Sequence, residues 1–583
     1  QTLLRNVAGP TANAQFGACS VVVSDHNGDG YKDVLVGAPG FNQERGAIYC
    51  VSGAHMATGQ GPSILWSLAP PANPGDRFGA SLAEVGDVTG DGVPDFVVGQ
   101  PGYDDSSNGT SGIDRGAIRL VHGASHTVVS LIHGSTGWGL GASLAACGDL
   151  NLNGFSDVVI GAVHPLTSIG VVSYVDGSFL TQSLPMSLAT NVELFDYGTG
   201  LGTSVASGHD LTGDGKADVV IGAPKSVGGG PSGAGKVVVW NVITNQFHPV
   251  FAFVGGEHMG SSVSIGADYD GDGVADIVAG APDFPDAAGY SVGRAVVYSG
   301  ARVVAQTPPY EIYSFQFPSG QPPVNHTDPD PNFYFGTAVE ACADLNGDGV
   351  GEILVGAPGY FTQTFFPSPG WSFRGQVRLF SGATGAQLAS INGGTTDRLG
   401  DALCGRIGDL NGDGFAEFLL AGSLSDVGGA DSGVLKSYRL FPLAPTTYCV
   451  GKVNSLGCTP GISISGSPSE TSSSPFLVQA SNLVNQKNGL LFYSRMPNAV
   501  AFQGGTLCAA SPTRRTPTQN SGGATSGASC SGTFSFDFNA WIQSGADPSL
   551  VTGAEVFAQY WSRDPQSPSP TSLSNALRFV VNP

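Results

Sequence analysis

Across residues 1–442, short apolar runs alternate with polar, glycine-rich stretches. Val34–Val36, Phe96–Val98, Val158–Ile160, Val219–Ile221, Ile277–Val278, Ile353–Val355 and Phe418–Leu420 each follow an Asp-rich stretch and run into a small turn. Runs this short, bounded by turn residues and rich in β-branched side chains, read as strands covered on both faces. In the first unit the pattern predicts strands over Ala18–Val23, Asp33–Val36, Gly46–Val51 and Ser63–Leu68. Gly (87) and Pro (38) are abundant and only 12% of residues are charged, a balance that favours short strands and turns over helices. The expected fold class is all-β.

The units repeat. Asp-rich loops begin at Asp25, Asp87, Asp149, Asp210, Asp268, Asp344 and Asp409, with successive spacings of 62, 62, 61, 58, 76 and 65 residues. Some nine residues before each loop stands Phe16-Gly17, Phe78-Gly79, Leu140-Gly141, Leu201-Gly202, Met259-Gly260, Phe335-Gly336 or Leu399-Gly400. After each loop comes Gly37-Ala-Pro39, Gly99-Gln-Pro101, Gly161-Ala-Val163, Gly222-Ala-Pro224, Gly280-Ala-Pro282, Gly356-Ala-Pro358 or Gly422-Ser423. These signatures are similar to the FG-GAP repeats of the integrin α-subunit β-propeller, and the resemblance covers residues 1–442. It implies calcium loops on one face, with the connections after the Gly-Ala-Pro turns and before the Phe-Gly turns on the other.

Physical reasoning points the same way. One four-stranded sheet cannot bury both its faces, whereas sheets stacked radially cover each other. After the seventh loop only Glu417–Leu420 and Gly433–Leu440 remain, so that sheet lacks a strand. Thr2–Val7 precedes Phe16-Gly17 just as Ser63–Leu68 precedes Phe78-Gly79, and can supply it. The expectation is a seven-bladed β-propeller closed by the N-terminal strand, with no free edge.

From Pro442-Leu-Ala-Pro445 onward the Asp-rich loops cease, and residues 443–583 are expected to form a small β-sandwich or jelly-roll domain. Gly532–Phe538 and Glu555–Tyr560 alternate with period two, while Gly489–Tyr493 and Ala576–Val581 are continuously apolar strands. Tyr448-Cys449, Cys458 and Tyr560–Asp564 resemble a C-terminal module of some secreted bacterial repeat proteins. Of nine cysteines, Cys19, Cys50, Cys147, Cys342 and Cys404 fall in apolar stretches and read as small buried hydrophobes. Cys449, Cys458, Cys508 and Cys530 form an even set in loop-like surroundings. Four cysteines allow three connectivities, of which Cys449–Cys458 with Cys508–Cys530 is preferred.

The loops carry the chemistry. Hard cations such as Ca²⁺ take six to eight oxygen ligands, and alternate residues of a tight loop can turn their oxygens to one centre. Positions 1, 3, 5 and 9 give side-chain ligand sets Asp25, Asn27, Asp29, Asp33; Asp87, Thr89, Asp91, Asp95; Asp149, Asn151, Asn153, Asp157; and Asp210, Thr212, Asp214, Asp218. Asp268, Asp270, Asp272, Asp276; Asp344, Asn346, Asp348, Glu352; and Asp409, Asn411, Asp413, Glu417 complete them. Position 7 would add the backbone carbonyl of Tyr31, Val93, Phe155, Lys216, Val274, Val350 or Phe415. These loops lack an EF-hand's late bidentate Glu, and match the shorter integrin-type loop. The third, with two carboxylates, is expected to bind most weakly and the fifth, with four, most tightly.

The formal charge of −22 argues against a nucleic-acid partner. The loops hold 21 of the 46 acidic residues; residues 1–444 carry −24, which seven Ca²⁺ would bring to −10. Up to seven structural calcium ions are therefore expected, since unneutralised carboxylates would repel and open each loop. Gly-x-Ser-x-Gly, His-Glu-x-x-His and P-loop motifs are absent, and lone histidines such as His164 and His258 read as structural, so no catalytic residue, no organic cofactor and no enzyme activity is expected.

The chain lacks an apolar run long enough to span a bilayer and starts at Gln1 without a leader, so a secreted or cell-surface protein whose signal peptide is already removed is expected. Disulfides and calcium loops point outside the cell too. Asn108-Gly-Thr110 and Asn325-His-Thr327 match glycosylation acceptors. Aromatic residues in Phe317–Tyr334 and Gly359–Arg374 suit recognition of a protein or sugar. The leading functional expectation is an extracellular, calcium-stabilised adhesion protein that recognises a protein or polysaccharide through propeller loops. The alternatives are a self-assembling protein of an extracellular fibre or surface layer, and a polysaccharide-active enzyme.

Overall fold

A computed structural model describes residues 2–59, 61–104, 115–135, 137–163, 170–196, 199–226, 232–252, 254–286, 289–317, 333–346, 348–364, 370–405, 408, 416–440, 445–469, 472, 474–550 and 554–581. For residues 2, 188–196, 361–364 and 370–373 it describes the backbone alone. Strands dominate, and the chain divides into two compact units, Leu3–Arg439 and, apart from the first two residues, Leu440–Pro583. No helix among the described residues is long and apolar enough to cross a membrane.

Among the described residues, the first unit contains seven sheets of four or five strands built on one plan. In the first, Cys19–Val23, Asp33–Ala38, Ala47–Val51 and Ile64–Leu68 pair antiparallel in chain order. The second strand is buried at every position because a neighbouring sheet covers each face. Side chains of adjacent sheets share cores: Val23, Leu35 and Ile48 with Phe78, Phe96 and Val98, for example. The second sheet gains a short parallel strand, Leu184–Pro185, from the following repeat. In the seventh sheet the order is Ala402–Cys404, Glu417–Gly422, Val434–Arg439 and then Thr2–Ala8 from the other end of the unit.

The repeat signatures hold neighbouring sheets together. Phe16, Phe78, Leu140, Met259, Phe335 and Leu399 are fully buried, and Leu201 nearly so. Five of them bridge to a glycine at the start of the preceding sheet's third strand, as Phe78 does to Gly46 and Leu140 to Gly116. Phe16 makes the same bridge to Gly433, in the seventh sheet. The glycine of each Gly-Ala-Pro turn lies under the next sheet's Phe-Gly turn. A Cβ on Gly37, Gly99, Gly161, Gly222, Gly280 or Gly356 would stand 1.9–2.2 Å from the carbonyl oxygen of Gly79, Gly141, Gly202, Gly260, Gly336 or Gly400.

The seventh sheet departs from this plan. Its register pairs Ala402 with Ala421, where the first sheet pairs Cys19 with Gly37. Ala421 thus occupies the glycine position, and Ser423 stands where five of the other six turns have proline.

In the second unit, a sheet of Thr446–Tyr448, Thr571–Val580, Glu555–Arg563 and Asn488–Ser494, edged by short strands, shares one core with a sheet of Gly461–Ser465, Leu477–Leu483 and Gly532–Asp537. Phe476, Tyr493, Phe534, Phe538, Tyr560 and Phe579 fill that core. The strand beginning at Gly532 ends at Asp537 instead of running on to Phe538. The Asp537 carboxylate accepts the N–H groups of Asn539 and Ala540 and starts the helix Phe538–Gln543.

The preferred disulfide pairing is corrected. Cys449 bonds Cys508 and Cys458 bonds Cys530, each with Cα atoms 6.5 Å apart. Thr446–Tyr448 pairs with the end of the chain, and the Tyr448 hydroxyl donates to the Cys508 carbonyl. Sheet pairing therefore brings distant cysteines together and carries Cys449 away from its near neighbour Cys458. The other five cysteines stand outside the disulfides, four buried and Cys19 partly so.

Candidate metal centres

Each Asp-rich loop joins the first and second strands of a sheet, and six of the seven are described. Position 1 folds the loop: Asp25 Oδ1 accepts from Gly28 N–H (2.8 Å) and Oδ2 from Gly30 N–H (2.7 Å). Asp87, Asp210 and Asp268 repeat this with Gly90 and Gly92, Gly213 and Gly215, and Gly271 and Gly273. Asp149 and Asp344 accept from Gly154 and Gly349. Position 5 holds the exit. Asp29, Asp91, Asn153, Asp214, Asp272 and Asp348 each accept the N–H of position 7, which is Tyr31, Val93, Phe155, Lys216, Val274 or Val350, at 2.9 Å.

Position 9 ties the loop to the sheet. Asp33, Asp95, Asp157, Asp218, Asp276, Glu352 and Glu417 are at most 1% exposed. Asp33 accepts from His26 N–H and from Gly53 N–H beyond the third strand, both at 2.9 Å. Asp95, Asp157 and Asp276 do the same with Val88 and Gly123, Leu150 and Gly177, and Tyr269 and Gly300. These glycines were not singled out from sequence, although Ser52-Gly-Ala54, His122-Gly-Ala124, Asp176-Gly-Ser178, Ser299-Gly-Ala301 and Ser381-Gly-Ala383 recur at the same place in five of the seven sheets. Each glycine is needed because a Cβ would strike the carbonyl at loop position 8, as Gly53 would strike Lys32 at 1.8 Å.

Position 3 differs between loops. Asn27 and Asn346 donate to neighbouring carboxylates, and Thr89 and Thr212 to position 9. In the fifth loop position 3 is Asp270, which has no proton to give. Both its carboxylate oxygens are buried and accept no hydrogen bond, although the Arg302 guanidinium lies 3.2 Å away. Asp268, Asp270 and Asp276 bring ligand oxygens within 4.8 Å of one another, as do Asp344, Asp348 and Glu352. Burial, reinforced by the nearby loop carboxylates, pushes Asp276 up to about 7 and Glu352 up to about 8. At Asp25 four backbone N–H donations outweigh burial and lower the pKa; Asp87, accepting the Gly92 N–H first among others, is lowered too. This all-oxygen donor set, with orphaned buried carboxylate at its centre, fits a hard cation such as Ca²⁺.

Asp409, Asn411, Asp413 and Phe415 lie outside the described residues, as do His164, Asn108, Thr110, Asn325 and Thr327. His258 is structural, its Nδ1 lying 2.7 Å from Asp283. The aromatic patch is corrected in part. Phe317 and Phe333 are 2% and 3% exposed, stack at 4.6 Å and pack on Tyr360, with the Arg378 guanidinium 4.2 Å over Phe317. They pack on one another rather than facing solvent. Phe361–Thr364 and Gly370–Phe373 form a hairpin.

The FG-GAP repeat family model matches residues 20–49, 201–240, 259–298 and 335–377. The chain thus contains FG-GAP repeats, on an all-β fold of propeller type. It is similar in particular to integrin α subunits. Integrin alpha-8 of Mus musculus is 33% identical over 171 residues, 28% of this chain and 16% of the relative. Integrin alpha-4 of Xenopus laevis is 32% identical over 173 residues (28% and 16%), and integrin alpha pat-2 of Caenorhabditis briggsae 29% over 230 (36% and 18%). The matched stretch thus spans less than a fifth of each of these relatives.

Proposed function

We propose that residues 1–442 form a seven-bladed propeller, closed by Thr2–Ala8 and fastened by calcium in its loops, that serves an extracellular protein in binding and adhesion. Two observations support ring closure: Thr2–Ala8 belongs to the seventh sheet, and Phe16 bridges Gly433 as Phe78 bridges Gly46. The calcium reading is carried by Asp270, whose two buried oxygens accept no hydrogen bond, within a loop architecture that recurs in every described repeat. A bound calcium ion would neutralise the loop carboxylates. The protein's own part is to hold position 9 rigid against the sheet and to present positions 1, 3 and 5 together.

The similarity to integrin α subunits and the two disulfides support an extracellular setting and a protein partner. With Phe317 and Phe333 buried, the better partner surface is a cavity of about 790 Å³ at the Phe-Gly and Gly-Ala-Pro turns, lined by Gln15, Pro39, Glu44, Arg77, Pro101 and Leu424 among others. No observation favours the fibre or the polysaccharide-enzyme reading.

Elemental analysis of the gel-filtered chain, with thermal melts in calcium and in EGTA, tests the metal reading. Bound calcium and a substantially lower melting temperature in EGTA are expected; no metal and an unchanged melt would refute it. Pull-down from native extracellular material, with an Arg77→Ala chain as control, tests the partner surface.

A further inference from the structure

In the second unit, the sheet that carries Asn488–Ser494 and Glu555–Arg563 is covered on both faces. Leu491, Tyr493 and Tyr560 belong to the core shared with the smaller sheet. On the opposite face Phe492, Phe557 and Leu573 form a second cluster, against which Leu490, Phe502, Leu507 and Trp561 are only partly buried. The hairpin of Pro497–Phe502 and Gly505–Ala509 packs on this face. Gln559, wholly buried, fastens it: its amide donates to the Thr506 carbonyl (3.0 Å) and its Oε1 accepts from Cys508 N–H (3.1 Å). The Cys449–Cys508 disulfide ties down the same strand. Hairpin and sheet enclose a cavity of about 460 Å³, within the usual range of ligand pockets.

The more buried part of the lining is apolar, with Leu490, Phe492, Phe502 and Trp561; its exposed part is polar and includes Gln503 and Arg515. Sheet register puts Arg515 there. Phe492 pairs with Arg515 and Tyr493 with Arg514, so the two arginines leave their strand on opposite faces. Arg514 lies 3.6 Å from the Asp547 carboxylate, which also accepts from the Tyr493 hydroxyl. Arg515 is on the Phe492 face, and among the described residues no acidic side chain lines the cavity beside it. Gln503 Oε1 accepts from the Thr571 hydroxyl at 2.6 Å, which leaves its NH₂ group to donate.

We propose that this cavity binds a small amphipathic carboxylate, with an aromatic or other apolar body against the rings and its carboxylate on Arg515, where the Gln503 amide is a second donor. A planar guanidinium meets a carboxylate with two parallel N–H donations. One cation suits a singly charged acid, whereas a phosphate dianion would keep a charge unanswered. The charge of the two units agrees. Residues 445–583 carry seven basic and five acidic residues, while residues 1–444 carry −24, so the anion site belongs to the part of the chain that is not acidic. The calcium reading plays no part in this proposal.

Isothermal titration calorimetry of the whole chain with naphthoate, and with its neutral analogue naphthamide, tests this. Wild type is expected to bind the acid about tenfold more tightly than the amide, as a charge-assisted hydrogen bond would give. Arg515→Gln, at an exposed position, should remove that preference and leave amide binding intact, whereas Phe502→Ala should weaken both probes. Thermal melts check that the variants keep the fold, and Arg515→Gln by itself decides the anion assignment. No binding of either probe at millimolar concentration overturns the site. Equal binding of acid and amide, or a preference that survives in R515Q, overturns the role of Arg515; unchanged binding of both probes in a folded F502A chain places them elsewhere and overturns the cavity assignment.

Discussion

Asp401 and Ser423 show how one substitution in a repeat calls for another. The other six sheets have Ala, Thr or Ser at the position of Asp401, and five of them have proline at that of Ser423. Proline has no N–H, but Ser423 does, and it donates this N–H to Asp401 (2.8 Å to Oδ2) along with its hydroxyl (2.5 Å). Burial raises the Asp401 carboxyl to about 6, although the Ser423 bonds act against it. Since the unfolded value is near 3.9, the folded state holds this proton more tightly. The contribution to stability is present below about pH 4 and is lost as pH rises to about 6. Melting temperatures of wild type and Asp401→Asn between pH 4 and 7 should therefore diverge, wild type falling relative to the variant; parallel profiles would contradict the assignment. At Gly99 the constraint is steric. A Cβ there would stand 2.1 Å from Ser81 Oγ and 2.2 Å from the Gly141 carbonyl. Gly99→Ala should cost about 1–3 kcal/mol in urea unfolding, as overpacked sites do.

At the scale of the element, a loop and the turn after the third strand act as one unit, joined through position 9. The fifth loop gathers the most carboxylate, and Arg302, on the helix Gly300–Ala305, reaches Asp270 from the far side. A half-exposed guanidinium there competes with a metal. Arg302→Ala should raise the calcium affinity of this loop by about two- to fivefold, the range of a partly exposed ion pair. Competition titration against a chromophoric chelator would measure it, and an unchanged or weaker affinity would count against that role for Arg302. The ligand spacing of this loop was legible in the sequence because its positions lie close along the chain. Arg302 and the capping glycines were not, because they enter from the segment that follows the third strand of the sheet.

For the whole molecule, the fate of the seventh sheet's outer edge is decisive. Without Thr2–Ala8 the strand Val434–Arg439 would expose unpaired backbone groups, and the core shared by Val7, Phe16, Leu419 and Leu435 would lose a wall. Deleting residues 2–8 should lower the melting temperature and produce concentration-dependent association, visible by calorimetry and light scattering. A monomer with an unchanged melt would argue against closure through this strand. The sequence by itself determined the period, the strand positions and the spacing of loop oxygens, because each is a local pattern that a repeating sheet must satisfy. Only the tertiary structure decided the rest. It paired Cys449 with Cys508, buried Phe317 under its neighbours, set Arg515 beside Phe492, and pressed the Gly-Ala-Pro glycines beneath the next Phe-Gly turn. Each of those contacts joins residues from different strands or sheets, and antiparallel pairing and sheet stacking determine which of them meet.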